Sequence, residues 1–517
     1  MILLLGIGLL TAFVLPCKAT ACRRATTDIL ETTSFVCECS AEYCDTIPRD
    51  VGLRAGQYVI YSSTKDRDRF HRTTYLFEDR AEHDQRFVLD ASREYQTILG
   101  FGGSFTDSAT MNIKSISPSA QHNLLKSYFS SEGIEYSMGR IPMSSCDFSV
   151  RVYSYDDHPG DFALEEFMLA TEDISYKIPV IKEALAMSPH DIKLLGSPWS
   201  APAWMKTNQD MVGGALMGQP GEKYYKTWAT YFVKFLEAYE QHQVPMWGLT
   251  IQNEPSGAEV PFNLYSWQSM AMPPETAKDF VKRDLGPALT SNGYSHVKLM
   301  SHDDNIPSVL ANSKVIYEDE EAAKFLSGIA VHWYMTKGSS TYNSLEETHQ
   351  TFPDKFLLAT EACEGYQPWE QPVKLGNWER GEQYSLDILQ DLKHWVTGWV
   401  DWNLALDLSG GPNWAGNNVD SPIIVDAERD VFYKQPMFYH MGHFSKFIYP
   451  GSVHIDLRVE SQAHTTLHSI AFKRPDNSTV IVLLNVGASI EEVTVHDPRH
   501  GYINTKLPPR SIHTFIW

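Results

Sequence analysis

The chain has 517 residues, a formal net charge of -21, 43% hydrophobic and 12% aromatic residues. That length exceeds what one compact core sustains and calls for two or more domains. So acidic a chain repels phosphates, which excludes nucleic acid as a partner, and it suits an acidic compartment where protonation of carboxylates relieves self-repulsion.

Residues 1–15 form an apolar run too short to span a bilayer, and the small residues Ala19-Thr20-Ala21 follow it. This predicts a secretory signal peptide over 1–21. No other stretch is apolar enough to cross a membrane, so a lumenal or secreted protein is expected. Cys22, Cys37, Cys39 and Cys44 are an even set in an oxidising compartment and are expected to close two disulfides, with three pairings open to them. The Cys37-Glu38-Cys39 spacing is not that of a zinc knot and no histidine lies nearby, so no metal is expected. Cys146 and Cys363 are isolated and read as free thiols.

Short alternating strands, such as 57–61 and 86–89, occupy residues 46 to 94. From residue 97 the texture changes to strand, loop and amphipathic helix, repeated. The strand candidates are 97–101, 134–141, 192–196, 246–252, 296–301, 328–333, 356–360 and 398–405. Helical periodicity lies between them, most clearly over 224–242, where Trp228, Tyr231, Phe232, Phe235, Leu236 and Tyr239 share a face. Eight strands alternating with helices over roughly 300 residues predict a (β/α)8 TIM barrel with long loops. Short strands return at 466–472, 479–485, 492–495 and 511–516, so the C-terminal segment reads as all-β. The strands ahead of the barrel can join it in one sandwich. Asn477-Ser478-Thr479 is an N-glycosylation sequon beside Asp476, in a turn expected to be exposed.

Two of the barrel strands end abruptly in a carboxylate. Thr250-Ile251-Gln252-Asn253-Glu254 is halted by Pro255, and Leu358-Ala359-Thr360-Glu361 gives way to a loop. A lone Glu at a strand end is ordinarily a solvated loop residue. In a barrel, however, the C-terminal strand ends converge on one face, so residues far apart in sequence meet there. Arg140, Asp147, Trp199, His332, Tyr334 and Trp402 fall at such ends too. A Glu pair suits glycoside cleavage, in which one is a protonated acid and the other an ionised nucleophile. Asn253 can orient the carboxyls or a sugar hydroxyl, and Arg140 beside Glu361 would keep it ionised. Trp199 and Trp402 can stack on the apolar face of a pyranose, and Asp147 can accept from its hydroxyls. No zinc-protease, nucleophile-elbow, P-loop or dinucleotide pattern competes, and no cofactor is expected.

These residues belong to longer motifs. They include Gly100-Phe101-Gly102-Gly103, Ser144-Ser145-Cys146-Asp147-Phe148-Ser149, Ser197-Pro198-Trp199 and Asn253-Glu254-Pro255-Ser256. Val331-His332-Trp333-Tyr334, Glu361-Ala362-Cys363, Asp401-Trp402-Asn403 and Phe432-Tyr433-Lys434-Gln435-Pro436 continue the series. Across nearly all of the chain after the leader, it resembles the acid glucosylceramidases of glycoside hydrolase family 30. The resemblance implies that Glu254 is the general acid/base and Glu361 the nucleophile of a retaining β-glucosidase acting on glucosylceramide. Asp147, Trp199, Asn253, Trp402 and Asn417 would hold the glucose, supported by Arg140, His332 and Tyr334. It further implies three parts. A small disulfide-bearing antiparallel sheet would occupy 22–49, completed by about 406–432. An immunoglobulin-like β-sandwich would combine 50–94 with 451–517, and the barrel would span 95–405 with about 433–450. Members work in the lysosome lumen at lipid vesicle surfaces, with anionic lipid and a saposin-type activator.

The chain departs from the family at the mouth of the site. The loop from Ser256 to Phe262 is shorter by about two residues and lacks the family's Tyr before Pro-Phe; Glu364 and Tyr366 replace smaller or apolar residues; Asn418 stands where an aromatic is expected. These changes bear on the aglycone, so the same machinery on another β-glycoside, such as a xyloside, is the nearest alternative. A non-catalytic sugar- or lipid-binding barrel is a more distant one, opposed by the presence of both carboxylates.

Overall fold

The computed structural model describes residues 19–25, 33–47, 52–258, 265–336, 340–460 and 466–517. All of the expected leader except residues 19–21, and most of the shortened loop after Glu254, lie outside them. Eight parallel strands close a barrel in sequence order: Gly100–Ser104, Met138–Met143, Lys193–Pro198, Gly248–Thr250, Lys298–Asn305, Leu326–His332, Phe356–Glu361 and Val396–Asn403. The first strand is glycine-rich because its neighbour comes close: a Cβ on Gly102 would sit 2.0 Å from the Met138 carbonyl oxygen. It begins three residues later than the sequence suggests. Residues up to Thr97 instead extend the strand Gln85–Thr97 of another sheet, and Ile98 is pinned by backbone bonds to Gly451 and Ser452.

The helix Lys223–Gln241 buries the aromatic face read from its periodicity. Phe235 packs so closely on the third barrel strand that a Cβ on Gly196 would lie 2.8 Å from its ring. Among the described residues, no helix is long and apolar enough to cross a membrane.

Nine strands form the second sheet, in the order Gly501–Leu507, Glu491–Asp497, Gln85–Thr97, Val453–Val459, Leu467–Lys473, Thr479–Asn485, Ser511–Ile516, Gln57–Thr64 and His71–Leu76. Tyr58, Phe87, Ile455, Ile481, Val493 and Phe515, drawn from six of these strands, share one core, which makes the sheet a sandwich. The strands His71–Leu76, Val453–Val459 and Gly501–Leu507 escaped the sequence reading because their faces are polar or half-exposed.

The small third sheet runs Cys37–Ser40, Val431–Lys434, Ile423–Asp426 and Leu406–Asp407. Two of its pairings are antiparallel, while Leu406–Asp407 lies parallel to Ile423–Asp426. Disulfides join Cys22 to Cys37 and Cys39 to Cys44, selecting one of the three possible pairings; Cys146 and Cys363 are free and buried. The helix Pro436–Ser445, buried along its whole length, knits the three parts together. Its Tyr439 hydroxyl donates to Asp45, Phe444 packs on Phe101, and His443 bonds Ser63 and Thr514.

Candidate active site

The fourth barrel strand ends at Thr250, and four residues later Glu254 adopts φ 42°. This left-handed conformation is disfavoured for a residue other than glycine and persists where surrounding contacts impose it. Here the Glu254 N–H donates to the Asp303 carbonyl at 2.9 Å, and Asn253 N–H to that of Pro198 at 2.9 Å. Asp303 itself has φ 53°. The pairing of the fifth and sixth strands skips it, matching Ala330 to His302 and Val331 to Asp304. Comparable skips pass over Thr360 and Trp402. Bulges of this kind re-aim side chains at a barrel rim.

Asp303 is fully buried and all its acceptor capacity is engaged. Oδ1 accepts from Thr360 Oγ1 (2.7 Å) and His332 Nε2 (3.1 Å), and Oδ2 from Thr250 Oγ1 (2.6 Å) and Arg140 Nη2 (3.0 Å). Arg140, likewise fully buried, also donates to Ser197 Oγ (3.1 Å), Asn253 Oδ1 (2.7 Å) and Glu361 Oε2. Tyr334 donates to the other Glu361 oxygen at 2.8 Å, and His332 Nδ1 lies 3.1 Å from Glu254 Oε1. Three charges of alternating sign, on His332, Asp303 and Arg140, thus join the two glutamates.

Burial raises the Glu254 carboxyl above the ordinary glutamate value, an effect that the bond from His332 opposes. Burial alone would lower His332, but the Glu361 charge and the bonds to Asp303 and Glu254 push it up to about 10. Asp303 is buried as well, yet Arg140 and His332 hold it well below the usual carboxylate range. Glu254, His332 and Glu361 offer atoms within 4.8 Å of one another, as a metal site would. A protonated His332 with both ring nitrogens engaged has no lone pair for an ion.

The stabilising proton on His332 is fully present below its ordinary value near 6.5 and is lost as pH rises through about 10. The stability gap between the wild type and His332→Gln is therefore expected to close as pH rises across that window, as thermal unfolding at a series of pH values would show. Tyr334→Phe removes a hydrogen bond to a charged oxygen, worth about 1.5–3 kcal/mol, so kcat is expected to fall by about tenfold to a hundredfold with the fold intact.

In front of the two glutamates lies a cavity of about 190 Å³. Its walls bring together Asp147, Trp199, Asn253, Tyr334, Trp402 and Asn417, as the sequence suggested. Arg140 and His332 are not among the lining residues and stand behind the carboxyls. Trp199 and Trp402 stack on one another (centroids 5.1 Å apart, 15° between planes), with the Arg140 guanidinium 4.8 Å from the Trp199 ring. Asp147 Oδ2 accepts from Asn417 at 3.0 Å, and its buried Oδ1 has no hydrogen-bond partner among the described residues. Burial, reinforced by the Glu361 charge, pushes this carboxyl up to about 7.

Tyr265, Trp267, Asn305 and Cys363 also line the cavity and were not singled out from the sequence. Asp303 was missed because its strand was expected to stop at 301. A carboxylate at a strand end, the signal used for Glu254 and Glu361, is present in Ser301-His302-Asp303-Asp304. Of the departures at the mouth, Tyr366 does line the cavity, donating to the Tyr334 carbonyl at 3.3 Å. Glu364 does not; burial, opposed by Arg380, pushes it up to about 7, so it adds no charge to the rim in acid. Asn418 turns away and donates to the Ser409 carbonyl at 3.1 Å.

Known families match this arrangement. Residues 98–448 match the glycosyl hydrolase family 30 TIM-barrel domain, and 451–515 the family 30 β-sandwich domain. The chain is 46% identical to the lysosomal acid glucosylceramidase of Mus musculus over 94% of this chain and 93% of that protein. Among solved structures, SrfJ from Salmonella typhimurium superposes with a TM-score of 0.80 at 29% identity, covering 89% of this chain and all but 1% of that one (99%). An endo-β1,6-glucanase superposes with a TM-score of 0.78 at 28% identity, covering 89% of this chain and 99% of that one. With both domains matched in order around a paired-carboxylate cavity, the chain belongs to glycosyl hydrolase family 30 and is a glycoside hydrolase.

Proposed function

We propose that the chain is a retaining β-glucosidase hydrolysing glucosylceramide to glucose and ceramide at acidic pH, with Glu361 as nucleophile and Glu254 as general acid/base. The observation that carries this reading is the closeness of the two carboxyls, whose oxygens come within 4.8 Å. Retaining enzymes hold them about 5–5.5 Å apart, whereas inverting enzymes need about 6.5–9.5 Å to admit a water between them.

In the first step Glu361 attacks the anomeric carbon while Glu254 gives its proton to the glycosidic oxygen, and ceramide leaves. In the second, the Glu254 carboxylate takes a proton from water, which attacks the same carbon and frees Glu361. Arg140 and Tyr334 hold one Glu361 oxygen each, aligning the nucleophile. Burial keeps Glu254 protonated in acid, so activity declines as it ionises with rising pH. Asp147 with Asn417 offers a partner to a glucose hydroxyl, and the tryptophan pair in the cavity wall meets the sugar ring. Similarity to the mouse lysosomal acid glucosylceramidase supports the ceramide aglycone and a lysosomal lumen. We extend the proposal to a secretory route, with a secreted destination as the alternative, and to work at a lipid vesicle surface with anionic lipid and a saposin-type activator. Asn477, exposed in its turn, is the proposed glycan acceptor.

Labelling with a 2-deoxy-2-fluoro-β-glucoside and peptide mapping tests the reading. Modification of Glu361 supports it; modification elsewhere, or none on folded protein at mildly acidic pH, overturns it. Likeness to an endo-β1,6-glucanase favours a second reading, the same reaction on a glucoside with a sugar aglycone. Relative kcat/KM on glucosylceramide in vesicles and on soluble glucosides separates the two.

A further inference from the structure

A second concave site lies among the loops on the same face of the barrel, outside the carboxylate cavity. It encloses about 660 Å³ between Asp157, Phe162, Trp204, Gln209, Lys223 and Tyr224. The loop after the second barrel strand supplies Asp147 to the cavity and Asp157 and Phe162 to this groove. The loop after the third supplies Trp199 to the cavity and Trp204 and Gln209 to the groove.

Three rings form the apolar wall. Phe162 stands edge-on to both Trp204 (centroids 5.3 Å apart, 83°) and Tyr224 (5.1 Å, 70°), and the Lys223 ammonium lies 4.2 Å from the Phe162 ring centroid. All three rings are half-buried. The one polar atom of Trp204, Nε1, already donates to the Asp156 carbonyl at 3.0 Å, so toward the groove this residue presents ring surface alone. The backbone beneath is held in place: Thr227 Oγ1 donates to the Phe162 carbonyl at 3.2 Å, and Ser154 Oγ to Asp157 Oδ1 at 2.5 Å. Around the wall, Asp157, Gln209 and Lys223 are exposed and offer acceptors and donors, with one negative and one positive charge.

An apolar wall of aromatic faces and edges, ringed by exposed hydrogen-bonding groups of no net charge, matches one ligand chemistry closely. A pyranose has an apolar C–H face and a rim of hydroxyls that both donate and accept. An aliphatic chain would leave the polar rim unused, and an anion would face Asp157. We propose that this groove is a second carbohydrate-binding site, taking neutral hexose oligosaccharides and separate from the cavity that performs hydrolysis. It holds a saccharide chain beside the catalytic mouth without touching the bond that is cut. A glucosylceramide carries a single sugar, so the site is independent of the substrate reading above.

The test is calorimetric titration of gentiobiose, a β-linked glucose disaccharide, into the full chain whose cavity has first been blocked covalently at Glu361. Binding is expected to persist after blocking. It is expected to weaken at least about tenfold in Trp204→Ala and in Gln209→Ala. Both variants should keep the wild-type kcat on a soluble aryl β-glucoside, which shows that they fold. Absence of binding to blocked protein at tens of millimolar, or undiminished binding in both variants, overturns the proposal. Should the block itself fail, that counts against the assignment of Glu361. The groove is then judged on unblocked protein, where loss of a binding event in the two variants supports it and no change overturns it.

Discussion

Glu361→Gly is expected to lower kcat on the order of 10^5-fold, the scale on which deleting a covalent nucleophile acts. Glu361 is 6% exposed, with one oxygen held by Arg140 and the other by Tyr334. Removing it leaves a small hole lined by a cation and a hydroxyl, which suits azide. With an activated aryl glucoside, whose departure needs no proton, azide enters from the face that Glu361 occupied and should restore turnover. The product is then α-glucosyl azide. Glu254→Gly leaves the nucleophile in place, and azide attacks the glycosyl-enzyme to give β-glucosyl azide. Product configuration, read by proton NMR, distinguishes the two carboxyls; β-azide from the Glu361 variant would reverse their roles.

Asp303→Asn is expected to act almost as severely, although Asp303 does not line the cavity. The substitution keeps shape and removes the charge between Arg140 and His332, both fully buried with it. Breaking a buried ion pair from one side destabilises by about 3–5 kcal/mol, because the remaining charges have no solvent to turn to. A deficit of that size in the denaturation midpoint is one readout. The second is the pH profile. Without Asp303, His332 gives up its proton at lower pH, and a neutral His332 no longer favours ionised Glu254. The alkaline limb of kcat/KM should therefore move to higher pH. A purely architectural role for Asp303 would scale the rate and leave that limb in place.

What the sequence made legible follows from where its signals come from. Barrel strands buried on both faces give short runs with few charges, and the Trp228–Tyr239 face of the long helix repeats at helical period; all eight strands overlap the expected runs, with ends shifted, and the helix face is buried as expected. The sheet strands His71–Leu76 and Gly501–Leu507 were invisible because most of each is half-exposed or exposed and largely polar. Residues at the cavity wall were readable where a strand end and a family motif coincide, as at Asn253-Glu254 and Trp402. Asp303 and Thr360 were not, because their placement depends on register skips between strands, and a skip leaves no trace in composition. Glu364 was misplaced for a related reason: a charged residue in a loop reads as exposed, but Arg380 and Asp420 lie close enough to act on it in a half-buried setting.

The nine-strand sandwich has a consequence for how the chain is made. Its strand Gln57–Thr64 pairs with the nearby His71–Leu76 on one edge but with Ser511–Ile516 on the other, and Gln85–Thr97 pairs with Val453–Val459, so each early strand has a flanking partner far along the polypeptide. During synthesis the hairpin of Gln57–Thr64 and His71–Leu76 can form early, whereas Gln85–Thr97 has no native sheet neighbour until Val453–Val459 has emerged. The barrel between them can close while these strand edges remain open to wrong partners. Loss of Ser511–Ile516 would remove the strand between Thr479–Asn485 and Gln57–Thr64, parting the early hairpin from the late strands of the sheet. Ser511–Ile516 is therefore the joint between the early and late halves of the sandwich, far in sequence from the chemistry of the barrel.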